Sequence, residues 1–208
     1  MSIALKNALL GAAKVNILDE GKSFVTGKGE ANGLNYVSKG FVIGGIAEFR
    51  KRSPYVLLKE GSWFGGTNVY QNTEHHFRFV AVEPAIVIHI PGEIVRKLAE
   101  THLEIFKLLY FATSEGARDT VDLLFVSYSL DMPQRLAFFL MEMLKAFHQV
   151  NGTVPMIPVS QNVLSLILGA SRQRINHELH GLAEKGIITI TRKRIFINNL
   201  SALASLIE

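Results

Sequence analysis

Five polar side chains within residues 172–177 have the chemical types that read the edges of DNA bases. They are Arg172, Gln173, Arg174, Asn176 and His177. Arginine can donate two hydrogen bonds to guanine O6 and N7, and glutamine or asparagine can pair with adenine in the same bidentate way. Each good contact of this kind discriminates against a wrong base by about 1–3 kcal/mol. The segment therefore predicts sequence-specific binding to double-stranded DNA.

Helix start and stop signals place these side chains at the beginning of the second of two short helices. Ser160 can cap a helix from about Gln161 to Leu168, and Gly169 ends it. Ser171 can cap the next helix, which continues to about Lys185. Two helices joined by a tight glycine-containing turn are typical of a helix-turn-helix, whose second helix enters the major groove with its N-terminal residues.

A basic hairpin follows the second helix. The apolar runs 187–190 and 194–197 predict two strands, and Arg192 and Lys193 lie at their tip. A helix-turn-helix followed by such a hairpin predicts a winged helix-turn-helix, with the cationic wing close to the phosphate backbone. The predicted phosphate contacts are Ser160, Ser171, Lys193 and Arg194.

The preceding chain changes character twice. From about Ala13 to Ile90, short apolar runs alternate with glycine-marked turns, which predicts an antiparallel sandwich or roll. A short helix is expected over 93–100, and a longer one from about Leu103 to Ser129. The longer helix carries residues at alternating three- and four-residue steps, the spacing of a two-helix seam. These residues are Leu103, Phe106, Tyr110, Thr113, Ala117, Thr120, Leu124 and Ser127.

Other faces of the long helix are also apolar, so periodicity leaves two arrangements open: a helix inside one core, or a helix packed on its own domain and on a partner chain. Asp131 and Gln134, with Pro133 between them, then predict a new helix start. We therefore expect an α+β chain with an N-terminal antiparallel β-roll (1–102), a long helix (103–130) and a C-terminal winged helix-turn-helix (131–208).

Composition excludes several classes of protein. The 208 residues are 48% hydrophobic and 19% charged, which indicates a folded chain, and the net charge of +4 is compatible with nucleic acid. The absence of cysteine excludes disulfides and thiolate metal sites. The apolar run Ala8–Ala13 is too short to span a membrane. We expect a cytoplasmic protein without a membrane partner.

The C-terminal stretch VSQNVLSLILGASRQRINHELHGLAEKGIITITRKRIFINNLSAL resembles the DNA-binding domain of the cyclic-AMP receptor protein/FNR (CRP/FNR) family. Upstream, GEANGLNYVSKGFV is similar to the family's β-roll motif, and WFGG to its next turn. The resemblance spans nearly the whole chain. It implies a cyclic-nucleotide-binding-like effector roll and a dimerisation helix over 103–130. It also implies a homodimer on a roughly palindromic operator, with RNA polymerase as a candidate further partner. Gln173 stands where the best-known members carry a glutamate that accepts from cytosine, so the half-site preference should differ.

The same resemblance implies a degenerate effector pocket at Gly65, Gly66, His76 and Phe77. Members that bind cyclic nucleotides supply a glutamate where this chain has Gly66, and an arginine–serine pair near His76 and Phe77. A largely neutral histidine replaces arginine poorly, and phenylalanine cannot donate a hydrogen bond to phosphate. We therefore expect no response to cyclic AMP.

Histidines in the roll leave alternatives open. His75, His76 or His89 could ligate haem or a metal, and Glu74 with the first two could form the metal site of a cupin-like enzyme. No other carboxylate–histidine arrangement completes a catalytic site. We expect a protein that is not an enzyme and has no resident cofactor or metal, with haem or a small-molecule effector as the alternatives.

Overall fold

The computed structural model describes the chain at residues 1–26, 32–46, 56–70, 77–147 and 154–207. These residues form two compact units, one ending at Val121 and the other beginning at Asp122. The boundary between the two units falls inside a single long helix. The three-part division at 102 and 130 remains a prediction.

Eight antiparallel strands form two sheets in the described part of the N-terminal unit. The strand order is β1-β8-β3-β6 in one sheet and β2-β7-β4-β5 in the other. The bounds are β1 (Lys14–Leu18), β2 (Ser23–Thr26), β3 (Gly33–Lys39), β4 (Val42–Ile46), β5 (Val56–Leu58), β6 (Trp63–Phe64), β7 (Phe77–Ala81) and β8 (Ala85–Pro91). The predicted antiparallel roll and the α+β class are confirmed.

Phenylalanines fill part of the space between the two sheets. The Phe79 ring lies 5.2 Å from that of Phe24 and 4.4 Å from that of Phe64, measured between centroids. Gly44 lies directly beneath Phe79, and a Cβ at this position would overlap the ring. Aromatic rings at these distances pack favourably beyond their buried area. Side chains from the strands themselves therefore form this part of the hydrophobic core.

Three helices complete this unit: α1 (Ile3–Ala12), α2 (Gly92–Thr101) and the first part of α3 (Glu104–Ser129). They share one apolar cluster that includes Leu5, Val95 and Ile105. The sequence argument did not predict α1. Ser2 caps α1 and its hydroxyl donates to Glu104 at 2.7 Å. The hydrogen bonds from Ser2 hold the pKa of the Glu104 carboxyl below its ordinary value.

The C-terminal unit contains the predicted helix-turn-helix and wing. Asp131 and Gln134 form the expected capping box, with both bonds at 3.0 Å. The wing sheet has the order β10-β11-β9, so the predicted hairpin gains a third strand. The bounds are α4 (Met132–Ala146), β9 (Met156–Ile157), α5 (Gln161–Ile167), α6 (Arg172–Glu184), β10 (Ile188–Ile190), β11 (Ile195–Ile197) and α7 (Leu200–Ala204). Among the described helices, none is long and apolar enough to cross a membrane.

Candidate nucleic-acid interface

Side-chain caps define the start of both helices in the helix-turn-helix. The Ser160 hydroxyl oxygen accepts from the Val163 amide at 3.3 Å, and that of Ser171 accepts from the Arg174 amide at 3.2 Å. Between them the chain turns at Gly169, whose φ of +61° is easily adopted by glycine alone. As each serine oxygen only accepts in its cap, its O–H stays available as a donor, which is compatible with the predicted phosphate contacts.

One face of α6 anchors it in the core of its unit. Ile175, Leu179 and Leu182 are buried on this face, at the i, i+4 and i+7 spacing of a helix that packs on one side. The remaining positions in the first turns of α6 expose Arg172, Gln173, Arg174 and His177. The structure therefore brings four of the five predicted base-contacting residues to the solvent-facing side of one anchored helix.

The electrostatics of the first turn of α6 are unusual for a helix that is only structural. This turn contains no acidic residue, and it contains Arg172 and Arg174. The helix dipole makes an N-terminus the positive end, so a cation there costs stability, typically about 0.3–1 kcal/mol. The same positive end, with its free amide groups, favours an anion such as phosphate. The turn is therefore suited to meet the DNA backbone while its side chains reach the bases.

Asn176 differs from the other four predicted base-contacting residues. Its side chain is half-buried, and its Oδ1 accepts from Gln161 Nε2 at 2.9 Å. This hydrogen bond joins the start of α5 to the second turn of α6. The geometry supports a role in fixing the angle between the two helices, and the proposed contact between Asn176 and a base stays a prediction.

Replacing Asn176 with alanine is expected to lower the free energy of unfolding by about 0.5–1.5 kcal/mol, the net value of a typical hydrogen bond. Chemical denaturation measures this loss. The Gln161→Ala variant should lose a similar amount, and the double variant should lose less than the sum because both changes remove the same bond. Fully additive losses would contradict the coupling.

The wing presents its cationic tip to solvent. The Thr191 amide donates to the Arg194 carbonyl at 2.9 Å, which closes the hairpin around Arg192 and Lys193. All three basic side chains are exposed. At the base of the wing, Asn198 Nδ2 donates to Thr189 Oγ1 at 2.9 Å. The predicted wing residues Lys193 and Arg194 therefore lie on a braced hairpin.

The predicted effector residues lie in different surroundings. Gly65 adopts a φ of +84° and begins a short 3-10 turn over Gly66–Val69. Gly66 is buried against α3, where a Cβ would lie 3.2 Å from Thr113 Oγ1. Phe77 is the first residue of β7, half-buried against the apolar core of the roll. His76 falls outside the described residues.

The histidine alternatives are only partly covered by the described residues. His89 is buried on β8, and its Nδ1 lies 2.9 Å from Asn35 Oδ1. Within the described ranges, no group of three or more acidic or histidine side chains could hold a metal ion. The other proposed ligands, Glu74, His75 and His76, fall outside these ranges.

Two residues of the interface escaped the sequence argument. Glu178 pairs with Arg174, and Gln161 pairs with Asn176. The first pair has the i,i+4 spacing of a helical ion pair and could have been found from the sequence. The second joins residues 15 positions apart on different helices, and no local pattern indicates it.

A β-roll, a long helix and a winged helix-turn-helix therefore follow one another along the chain. Residues 134–206 match the family model described as a Crp-like helix-turn-helix domain. The chain is 24% identical over 195 residues to a global nitrogen regulator from Synechocystis sp., across 91% of this chain and 87% of that protein.

Solved structures show the same fold. A regulator assigned to the CRP/FNR family from Eubacterium rectale has a TM-score of 0.80 at 17% identity, covering 100% of this chain and 95% of its own. A CRP/FNR-family regulator from Thermus thermophilus has a TM-score of 0.76 at 17% identity, covering 93% and 98%. The chain therefore contains a Crp-like helix-turn-helix domain and has the fold of CRP/FNR-family regulators.

Proposed function

We propose that this chain is a DNA-binding transcription regulator of the CRP/FNR family, which binds a roughly palindromic operator as a homodimer and reads each half-site with the first turns of α6. Arg172, Gln173, Arg174 and His177 contact base edges in the major groove, and the wing tip contacts phosphates. One observation carries this proposal: four polar side chains are exposed in the first turns of a capped helix that is anchored by three buried residues. A helix held in this way offers base readout at a low entropic cost.

The exposed face of α3 supports the homodimer. Ile105, Leu109 and Ala112 are buried in the N-terminal unit, whereas Tyr110 and Tyr128 remain 75% and 87% exposed. The apolar or small side chains of this exposed stripe recur at steps of three or four residues, with one step of seven between Tyr110 and Ala117, as expected for two helices packing along their length. Exposed apolar side chains aligned in this way favour a protein partner. The stripe consists of Leu103, Phe106, Tyr110, Ala117, Val121, Leu124 and Tyr128.

Selection of binding sites from random double-stranded DNA tests the proposal. The full-length protein is expected to enrich a sequence with two inverted half-sites centred about 10–10.5 base pairs apart, or a multiple of this distance. Because Gln173 favours adenine over the cytosine that a glutamate would read, an A·T pair is expected at the corresponding position. Recovery of no sequence, with equal affinity for all DNA, would refute the proposal.

We also propose that cyclic AMP is not the effector. Gly66 provides no side chain to bind a ribose hydroxyl, and it packs directly against α3 at Thr113. Phe77, which the resemblance aligns near the phosphate-binding pair, packs into the apolar core instead. The Phe77 side chain has neither a charge nor a hydrogen-bond donor, so it cannot compensate a buried phosphate for its lost hydration.

Cyclic AMP is therefore expected to change operator affinity by less than about twofold, against the roughly 5- to 150-fold coupling typical of an allosteric effector. Calorimetry of the purified protein should record no saturable binding heat. The absorption spectrum and native mass of the same preparation test the haem and small-molecule alternatives directly. A saturable cyclic AMP isotherm together with tighter operator binding would overturn the proposal.

A further inference from the structure

One ion pair on α6 involves Arg174, a residue proposed to contact bases. Arg174 Nε is 2.7 Å from Glu178 Oε1, one helical turn further along α6. The Arg174 side chain is 56% exposed, whereas that of Glu178 is only 10% exposed. The carboxylate is therefore embedded at the base of the surface, and the guanidinium extends from it towards solvent.

The ion pair between Arg174 and Glu178 is expected to contribute little to the stability of α6. Exposed i,i+4 ion pairs contribute only about 0.3–0.5 kcal/mol, and the orientation with the acidic residue N-terminal is the better one. Here the order is reversed, and the cation occupies the positive end of the helix dipole. Placing a glutamate in the first turn and an arginine later would stabilise α6 more. The observed order indicates a role beyond the stability of the helix.

The chemistry of the guanidinium suggests that role. Arginine has five N–H donors in a planar fork, and the contact to Glu178 uses the one on Nε. The two terminal nitrogens of an arginine can donate together to guanine O6 and N7. A free arginine side chain has about 2 kcal/mol of rotamer entropy to lose on binding. Holding Nε in the free protein removes part of that cost in advance.

We propose that Glu178 is a positioning residue, which orients Arg174 to read a guanine in each half-site. The inference rests on the proposed function, since it needs α6 to lie in the major groove. The carboxylate also offsets the charge of the guanidinium, so Arg174 is drawn less strongly to phosphate. Glu178 thus directs Arg174 to the bases and away from the backbone.

The test compares Glu178→Ala and Glu178→Gln with Glu184→Ala, all in the full-length protein. Glu184 is an exposed carboxylate in the last turn of α6. Its removal changes the net charge by the same amount as the removal of Glu178, but far from the first turns of the helix. The probe is the operator obtained by selection, together with versions substituted at each position of the half-site. Affinity is measured for every version over a range of salt concentrations.

The Glu178→Ala variant is expected to lose about 5- to 20-fold of the discrimination at one guanine per half-site, with the other positions unchanged. The same guanine should lose its preference in Arg174→Ala, and the double variant should lose no more than Arg174→Ala alone. Both Glu178 variants should show a steeper salt dependence, by up to about one phosphate contact per protomer, relative to Glu184→Ala. A merely structural glutamate would not produce a change confined to one position.

The Glu178→Gln variant preserves side-chain volume and keeps the test valid if the alanine variant folds poorly. Unchanged base preference in both Glu178 variants would overturn the inference. A loss that persists in the Arg174→Ala background would also overturn it, because Glu178 would then contact the DNA itself. Neither result affects the proposed function, which is tested separately by whether selection recovers an operator.

Discussion

The Arg172→Ala variant is expected to lose specific affinity far more than non-specific affinity. A bidentate contact between arginine and guanine discriminates by about 1–3 kcal/mol, which corresponds to roughly 5- to 150-fold per half-site. Two identical subunits make the contact twice, so an operator with two half-sites is expected to lose about 2–6 kcal/mol. Affinity for random DNA should fall by no more than severalfold, because there only the charge of Arg172 contributes.

The position of Arg172 on α6 is the physical reason for this large effect. It is the first residue of the helix, directly after the Ser171 cap, and it lies on the exposed face. A capped first turn is well ordered, so the guanidinium starts from a fixed backbone position. The measurement is a titration of operator and random duplexes of equal length at two salt concentrations.

Arg192→Ala is the matched control for Arg172→Ala. Arg192 is also an exposed arginine of the C-terminal unit, but it lies at the wing tip. It is expected to weaken binding to operator and random DNA by the same factor, and to reduce the salt dependence by about one contact per protomer. If Arg172→Ala behaved in this way too, the role of Arg172 in base reading would be refuted.

Local signals in the sequence account for the parts of the interface that were predicted well. Ser160, Ser171 and Asp131 each cap a helix whose start was predicted from three or four consecutive residues. The wing strands were predicted in the same way, from two apolar runs around a basic tip. These features need no knowledge of distant contacts, because caps and hairpins are formed by neighbouring residues.

Contacts between distant segments could not be read from the sequence. Thr113 was predicted to lie in the two-helix seam of α3, but it packs against Gly66, 47 positions away in the chain. Val121 and Tyr128, which lay outside the predicted seam, are exposed beside Leu124. Because α3 is apolar on several sides, its periodicity fits more than one seam. Because one side of α3 packs on the β-roll, only the residues on its other sides stay exposed and able to contact a partner chain.

A charge placed on the exposed apolar stripe of α3 is expected to have the second large effect on DNA binding. Val121 is 47% exposed in the C-terminal half of the stripe, between Ala117 and Leu124. In a symmetric dimer the Val121→Glu variant places two carboxylates in the interface and removes apolar contact from both helices. The variant is expected to sediment as a monomer at concentrations at which the unaltered protein is a dimer.

Loss of the dimer is expected to lower the affinity for an operator with two half-sites. Two linked reading heads bind a two-site operator roughly 10²- to 10⁴-fold more tightly than a single head, since the second contact forms at a high effective concentration. The Val121→Glu variant is expected to lose this advantage and to bind the full operator no more tightly than a single half-site. Its affinity for the half-site should remain unchanged, because α6 and the wing are intact.

Phe111→Glu provides the control on the same helix. Phe111 is also exposed, but at 3.6 residues per turn it projects about 80° away from Val121 around the helix axis. We expect this variant to remain dimeric and to keep its preference for the full operator. A Val121→Glu protein that remained a dimer with full operator affinity would refute the proposed interface. Because only a dimer distinguishes the full operator from a half-site, one titration reports on both the interface and the palindromic readout.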